Sequence, residues 1–416
     1  MRIGKEGCFH LTYCTKIHQA KDWRALARDI RTHVPALKSR LAPERPFGIG
    51  LRLGAAESHE LLQPARLRSF RTFLARADCY VFTMNGFPFG SFAGQPVKAQ
   101  IFAPDWQEEE RVRYTLRLVA ILRRLLPAGL EGSISTLPLS YKPWIAPDQA
   151  GPAMERIVRN LLCIVEALID IRKQDGPLIH LDIEPEPDGL VENNREFAAF
   201  YRDWLLAYGA PLLAKKLQVD GATAARRLRE HIQLCLDTCH LAVSYEKPTE
   251  VLSLLAKEGI AVGKVQIASG LKLLFAEAGH DRADLALCLE RFADSAYLHQ
   301  VIGREPGPAG RFPDLCGALP RLAGCRDEEW RIHYHMPLFV ERYGMVQATQ
   351  AETREVLQLL KEEAFTRHLE IETYTWEQLP ADLKIDLRES LWREYRWVLT
   401  ELGEEGERRA SVPELI

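Results

Sequence analysis

The feature that most constrains this chain is a rhythm. Short runs of strand-forming residues recur eight times, and most are followed by a longer segment with the period of an amphipathic helix. The runs are "CFHLTYCTKIH" (8–18), "FGIGLRL" (47–53), "CYVFTMNG" (79–86), "EGSISTLPLS" (131–140), "LIHLDIEPE" (178–186), "IQLCLDTCH" (232–240), "VGKVQIAS" (262–269) and "RHLEIETYTW" (367–376). Between them lie helical patterns such as "WQEEERVRYTLRLVAILRRLL" and "AMERIVRNLLCIVEALIDIRKQ". Parallel strands need long crossovers, usually helices, so this alternation predicts an α/β chain with a parallel sheet. Eight units predict a (β/α)8 TIM barrel over residues 1–403, followed by a polar tail, 404–416. An open, doubly wound sheet is the competing architecture.

The rhythm breaks once. Between the seventh and eighth strands lies an insert, about 280–345, with two further strand-like pieces, "AYLHQVIGR" (296–304) and "WRIHYHMPLFV" (330–340). Insertions at the C-terminal mouth of a barrel shape its site more than its scaffold. After the eighth strand, "DLKIDLRESLWREYRWVLTEL" predicts a last helix.

Composition narrows the function classes. The 54 basic and 57 acidic residues leave a net charge of −3, which argues against a nucleic-acid partner. Nine cysteines, none in a CxxC pair, fit a reduced, cytoplasmic chain. The start carries no secretory apolar core, and no uninterrupted apolar run is long enough to span a bilayer. No glycine-rich phosphate loop follows a strand, and no serine nucleophile elbow is present.

The chemistry-bearing residues gather at strand ends. Asp182, Glu184 and Glu186 would share one side of an extended strand. Like charges there are costly unless a cation or hydrogen-bond donors compensate them. Asp237 and His240 end the sixth strand, Gln266 lies on the seventh, and Glu370 and Glu372 lie on the eighth. Four successive strands thus each bring a carboxylate or amide to the end where a barrel places its site. Taken singly, each acid is as well read as a solvated rim carboxylate.

This set resembles the xylose isomerase-like TIM barrels, a superfamily that includes sugar epimerases, hydroxypyruvate isomerase and endonuclease IV-type enzymes. "EP" after the fifth strand, "D-x-x-H" after the sixth and "QIA" in the seventh are most similar to the hydroxypyruvate-isomerase branch. Over nearly the whole chain, "LTYCTKIH", "FTMNGFPFGSF", "STLPLSYKPW", "LDIEPEPDG", "LDTCH", "YLHQV", "IHYHMPLF" and "LEIETYTW" resemble the EboE-type metabolite traffic proteins. That family is described by its gene context with a prenyltransferase-like membrane protein, so the resemblance implies a pathway and a membrane-bound partner more than a reaction.

Carried over position by position, the resemblance implies Glu184, Asp237, Gln266 and Glu372 as ligands of one divalent metal. Glu184 and Glu372 would double as catalytic acid and base, as the corresponding glutamates do in the related epimerases. Oxygen donors favour Mn²⁺ or Mg²⁺, and imidazoles joining them would move the preference to Zn²⁺. The implied activity is isomerisation or epimerisation of a sugar- or cyclitol-like metabolite. An endonuclease IV-like phosphoester hydrolase and a non-catalytic metabolite carrier are the alternatives.

His240, His333, His335, Glu186 and Glu370 are additional metal or substrate contacts in this reading, although each also reads as packing, capping or support. Many relatives carry His where this chain has Gln266. His18, Asn85, Lys142 and His299 are candidate substrate-lining residues, against the plainer expectations of core packing for Asn85's loop and a surface lysine at 142. His10 reads as barrel packing, and Cys235 and Cys239 as buried thiols and not nucleophiles.

Overall fold

Alternation of apolar and polar residues along each strand, with helical crossovers between strands, gives a sheet rolled into a barrel. The computed structural model describes residues 1–90, 98–275, 282–293, 297–304 and 310–404. The barrel strands are β1 (Phe9–Tyr13), β2 (Phe47–Arg52), β3 (Cys79–Asn85), β4 (Gly132–Thr136), β5 (Ile179–Ile183), β6 (Ile232–Asp237), β7 (Val262–Ile267) and β8 (His368–Ile371). From β2 round to β8 each pairs in parallel with its successor, and β8 pairs in parallel with β1. Helices such as Trp23–Leu41, Glu109–Leu125, Ala150–Lys173 and Gln350–Glu362 cover the outside. The expected (β/α)8 barrel is therefore the observed one, and the open sheet is set aside.

The seam between β1 and β2 is held differently from the rest. Its backbone pairing thins to a single bridge, Cys14 with Gly50. Side-chain hydroxyls supply the remainder. Thr12 Oγ1 donates to the Gly48 carbonyl (3.0 Å) and accepts from the Gly50 amide (2.6 Å), and Thr15 Oγ1 accepts from the Arg52 amide (2.9 Å). A Cβ at position 50 would run into the Glu370 carboxylate and the Tyr13 carbonyl, so this close approach requires glycine.

Most barrels fill their axis with branched aliphatics. Here the alternation sends Leu181, Ile183, Leu234, Leu236, Val265, Ile267, Leu369 and Ile371 to the main apolar core. The intervening positions are polar, buried and paired with one another. His180 Nδ1 meets Asp182 Oδ1 at 2.6 Å, His368 Nδ1 meets Ser133 Oγ at 2.8 Å, and Ser133 donates to Thr83 at 2.6 Å. Lys264 and Glu370 form an ion pair of 2.6 Å with neither side chain exposed. This polar layer is the floor on which the candidate site stands.

The insert is larger than its sequence implied. A six-stranded antiparallel sheet runs in the order Arg311–Phe312, Val301–Gly303, Glu329–Met336, Ser269–Leu274, Val346–Ala348, Arg342–Tyr343. It begins directly after β7 and ends at Ala348, so it exceeds the 280–345 expected. Its own apolar cluster includes Leu271, Leu273, Trp330, Ile332, Tyr334 and Met336. The even-numbered residues of Glu329–Met336 enter that cluster, so period-two alternation turns the odd ones, including His333 and His335, to the other face. After β8, the expected last helix forms at Leu387–Glu401. Residues 405–416 of the polar tail lie outside the described residues.

Candidate metal centre

Each strand end presents its donor through local backbone chemistry. The Glu184 amide donates to the Thr136 carbonyl (3.0 Å), continuing the β4–β5 pairing one residue past β5, and the Glu372 amide likewise donates to Ile267 (3.0 Å). Asp237 ends β6 and caps the short helix Thr238–Val243, with Oδ1 accepting from the amides of Cys239 (2.7 Å) and His240 (3.2 Å). That commits Oδ1. Asn85, at the end of β3, donates from Nδ2 to Glu372 Oε1 (3.1 Å).

Three imidazoles meet these acids, and the hydrogen bonds fix their tautomers. His240 Nδ1 lies 3.2 Å from the Pro185 carbonyl, and His335 Nδ1 contacts the Glu372 carbonyl. A carbonyl has no hydrogen to give, so each Nδ1 carries one. His333 Nδ1 lies 2.9 Å from Gln300 Oε1. The orientation of that amide is set because Gln300 Nε2 donates to the Pro187 carbonyl (3.1 Å). All three rings therefore keep a bare lone pair on Nε2. Acceptors that hold Nδ1–H in this way are what orient metal-ligating histidines.

The lone pairs converge. His240 Nε2 and His333 Nε2 are 3.0 Å apart. Two acceptors facing each other repel unless a proton or a cation lies between them, and burial holds the His240 imidazolium off down to a pKa of about 3. Two donors on one zinc ion, each about 2.0–2.1 Å from it, sit about 2.9–3.4 Å apart for right-angled to tetrahedral geometry. The observed spacing falls in that interval.

The carboxylates show the same deficit of donors. Glu184 Oε2, Glu186 Oε1, Asp237 Oδ2, Glu372 Oε2 and His335 Nε2 are all buried without a hydrogen-bond partner. Buried acceptors are rarely left in such a state, and five in one place amount to an unmet demand for positive charge. Four overlapping groups have ligand atoms within 4.8 Å of one another: Glu184, Asp237 and Glu372; Asp237, His240 and His335; Glu186, His240 and His333; and Cys239, His333 and His335. The residues fit a divalent metal, with the carboxylates and His240 supplied by the barrel strand ends and His333 and His335 by the insert.

Electrostatics follow from the same crowding. Burial pushes the Glu184 carboxyl well up, and Glu372, Asp237 and Glu186 push it further. Burial also raises Glu186 and Asp237, and lifts Glu372 to about 8 against the downward pull of Lys16. His335 is lowered to about 4 and His333 well below its usual range, again by burial first. Without a cation, burial and crowding favour the protonated form of the acids and the neutral form of the imidazoles.

Beside the donors is a small cavity of about 30 Å³. Glu184, Glu186, His240, His333, His335 and Glu372 line it together with Phe87, Phe102, Tyr297 and Tyr374. Lys16 joins them from the turn after β1, its ammonium 3.5 Å from the centre of the Tyr374 ring and 3.9 Å from Glu372 Oε1.

The structure brings Glu184, Asp237 and Glu372 together, and adds Glu186, His240, His333 and His335. Gln266 is fully buried, with its Oε1 accepting from the Cys235 thiol at 3.0 Å. Glu370 faces Lys264, one layer below Glu372. Asn85 acts on Glu372 and does not line the cavity. His299 is turned into the insert, with Nδ1 on the His333 carbonyl (2.9 Å) and its ring against Tyr334. His18 bonds the Tyr13 hydroxyl and stacks on His33. Lys142 is held at the surface by Glu192 and Glu196. His18, Lys142 and His299 are thus corrected as cavity-lining residues, because each has nearer partners elsewhere. Sequence reasoning missed Lys16 and Tyr374, since neither stands in a metal-ligand pattern, and it set Cys239 aside as a buried thiol.

No family model matches the sequence, and no curated protein does. Among solved structures the chain is similar to a D-tagatose 3-epimerase-like protein, at 12% identity over 94% of this chain and 99% of that one, with a TM-score of 0.46. The IolI protein with a bound zinc atom gives 12% identity over 96% and 100%, with a TM-score of 0.45. A xylose isomerase domain protein from Planctomyces limnophilus gives 13% over 86% and 89%, with a TM-score of 0.43. At this distance the barrel assignment rests on the strand order and pairing described above.

Proposed function

We propose that this chain is a divalent-metal enzyme that moves protons on a small sugar- or cyclitol-like metabolite, as an isomerase or epimerase does. The observation that carries the proposal is the gathering of three Nε2 lone pairs and four unpartnered carboxylate oxygens in overlapping buried groups, with two of the nitrogens 3.0 Å apart. Glu184, Asp237, Glu372, His240, His333 and His335 would hold the metal, with Glu186 and Cys239 in reach. Three imidazoles move the preference from Mn²⁺ or Mg²⁺ toward Zn²⁺. His333 and His335, supplied by the insert, would provide the imidazole character that many relatives draw from the position of Gln266.

A bound dication supplies Lewis acidity toward the substrate's oxygens. Glu184 and Glu372, from β5 and β8, are the residues to give and take a proton at carbon. Asn85 orients Glu372, and the aromatic wall keeps water from the reacting face. The resemblance of several strings to metabolite traffic proteins is what suggests a place in secondary metabolism and a membrane-bound pathway partner.

One observation favours a second reading. Eight potential donors in four overlapping groups exceed what one ion takes, as a phosphoester hydrolase with several metals would need. Incubation of zinc- or manganese-loaded protein in D2O with small ketoses and keto-cyclitols separates the two. The proposal expects deuterium at the carbon beside the carbonyl, lost in Glu184→Gln and Glu372→Gln. No exchange across the panel, with hydrolysis of bis(p-nitrophenyl) phosphate instead, favours the hydrolase.

A further inference from the structure

Lys16 is not absorbed by the metal centre. Its side chain is nine-tenths buried, at 10% exposure, and it lines the cavity beside the donors. An ammonium carries three hydrogen-bond donors. Among the described residues its contacts are the face of Tyr374 at 3.5 Å and Glu372 Oε1 at 3.9 Å. The first satisfies charge and not direction, and the second is too long for a hydrogen bond. Glu372 is also engaged by Asn85 and belongs to the donor group with Glu184 and Asp237. Once a dication neutralises those acids, Glu186 is the acid left to act on Lys16, and the ammonium has no hydrogen-bonded partner among the described residues.

We infer that Lys16 receives an anionic oxygen of the substrate, so that the metabolite is a small hydroxy or keto acid and not a neutral sugar. The inference rests on the proposed metal centre and narrows its substrate class. The lining supports it in kind: carboxylates and imidazoles share one small cavity with Phe87, Phe102 and Lys16. A buried ammonium with unmet donors is unfavourable, and a carboxylate or phosphate oxygen supplies a charge-assisted bond in its place.

The test uses zinc-loaded full-length protein with D-glycerate as the acid probe and glycerol as the neutral one, measured by isothermal titration. Zinc equivalents are determined first for wild type, Lys16→Met and Lys16→Arg. The expected result is equal zinc content in all three, tighter binding of glycerate than glycerol by wild type, at least a tenfold loss of glycerate affinity in Lys16→Met, and substantial recovery in Lys16→Arg. Zinc bound normally with glycerate affinity unchanged in Lys16→Met, or glycerate bound no tighter than glycerol by wild type, overturns the role of Lys16 alone. A wild-type protein that holds no zinc overturns the metal centre and this inference together.

Discussion

Replacing Gln300 by Leu removes the oxygen that keeps the His333 hydrogen on Nδ1, without touching any proposed ligand. Gln300 Oε1 sits 2.9 Å from that nitrogen, while the Gln300 backbone carbonyl separately accepts from the His333 amide at 2.9 Å. The strand pairing therefore survives the substitution, and the ring loses only its orientation and tautomer. Supporting acceptors of this kind are worth about 10–100-fold in metal affinity, which is about 1.4–2.8 kcal/mol. Some stability is lost too, because the Pro187 carbonyl gives up its partner at a cost of about 1–3 kcal/mol. Gln300→Glu keeps an acceptor and should bind zinc at least as tightly as wild type. Competition against a chromophoric chelator measures all three proteins, with circular dichroism confirming the fold. Equal zinc affinity in Gln300→Leu and wild type would refute the tautomer argument.

Other expectations concern the scaffold. Lys264→Met leaves Glu370 charged and unpaired beneath the site, so it should destabilise the protein by roughly 3–5 kcal/mol in urea unfolding, with most of that restored in Lys264→Met/Glu370→Leu. Gly50→Ala drives a methyl group into Glu370 and the Tyr13 carbonyl at the β1–β2 seam, and should cost about 1–3 kcal/mol or more by thermal unfolding. Glu394, buried in the last helix, has its carboxyl raised by burial from 4.5 to about 8. The stability it contributes is present below about pH 4.5 and is lost as the pH rises to about 8. Glu394→Gln, which stays neutral throughout, should flatten that part of the melting-temperature profile, and an unchanged slope would count against it.

Much of the barrel was legible because its signal is repeated. Eight aliphatic runs separated by helical periods leave few architectures, and the strand-end acids lie where β5, β6 and β8 stop. The insert was harder. Ser269–Leu274 follows β7 after a single residue, Ala268, so it read as the tail of one strand and not the start of another sheet. His333 and His335 were visible as an alternating pair in "IHYHM", yet only tertiary packing shows that their face meets the barrel mouth. Gln266 illustrates the converse. It has the residue type and position of a ligand, but its carbonyl oxygen is engaged by a neighbouring thiol that sequence spacing does not reveal. Lys142 and His18 failed for a simpler reason, since nearby acids and aromatic rings satisfy them first. Lys16 carried no local pattern at all; its importance comes from the cavity that seven other segments line with it.

The central claim is that the facing nitrogens of His240 and His333 share a cation. An anomalous-difference map at the zinc edge, from crystals of zinc-loaded protein, tests it most directly. The account predicts a peak at bonding distance, about 2.0–2.2 Å, from both Nε2 atoms and from at least one of Asp237 and Glu186. A map with no peak there, while the two nitrogens still stand 3.0 Å apart, would contradict it.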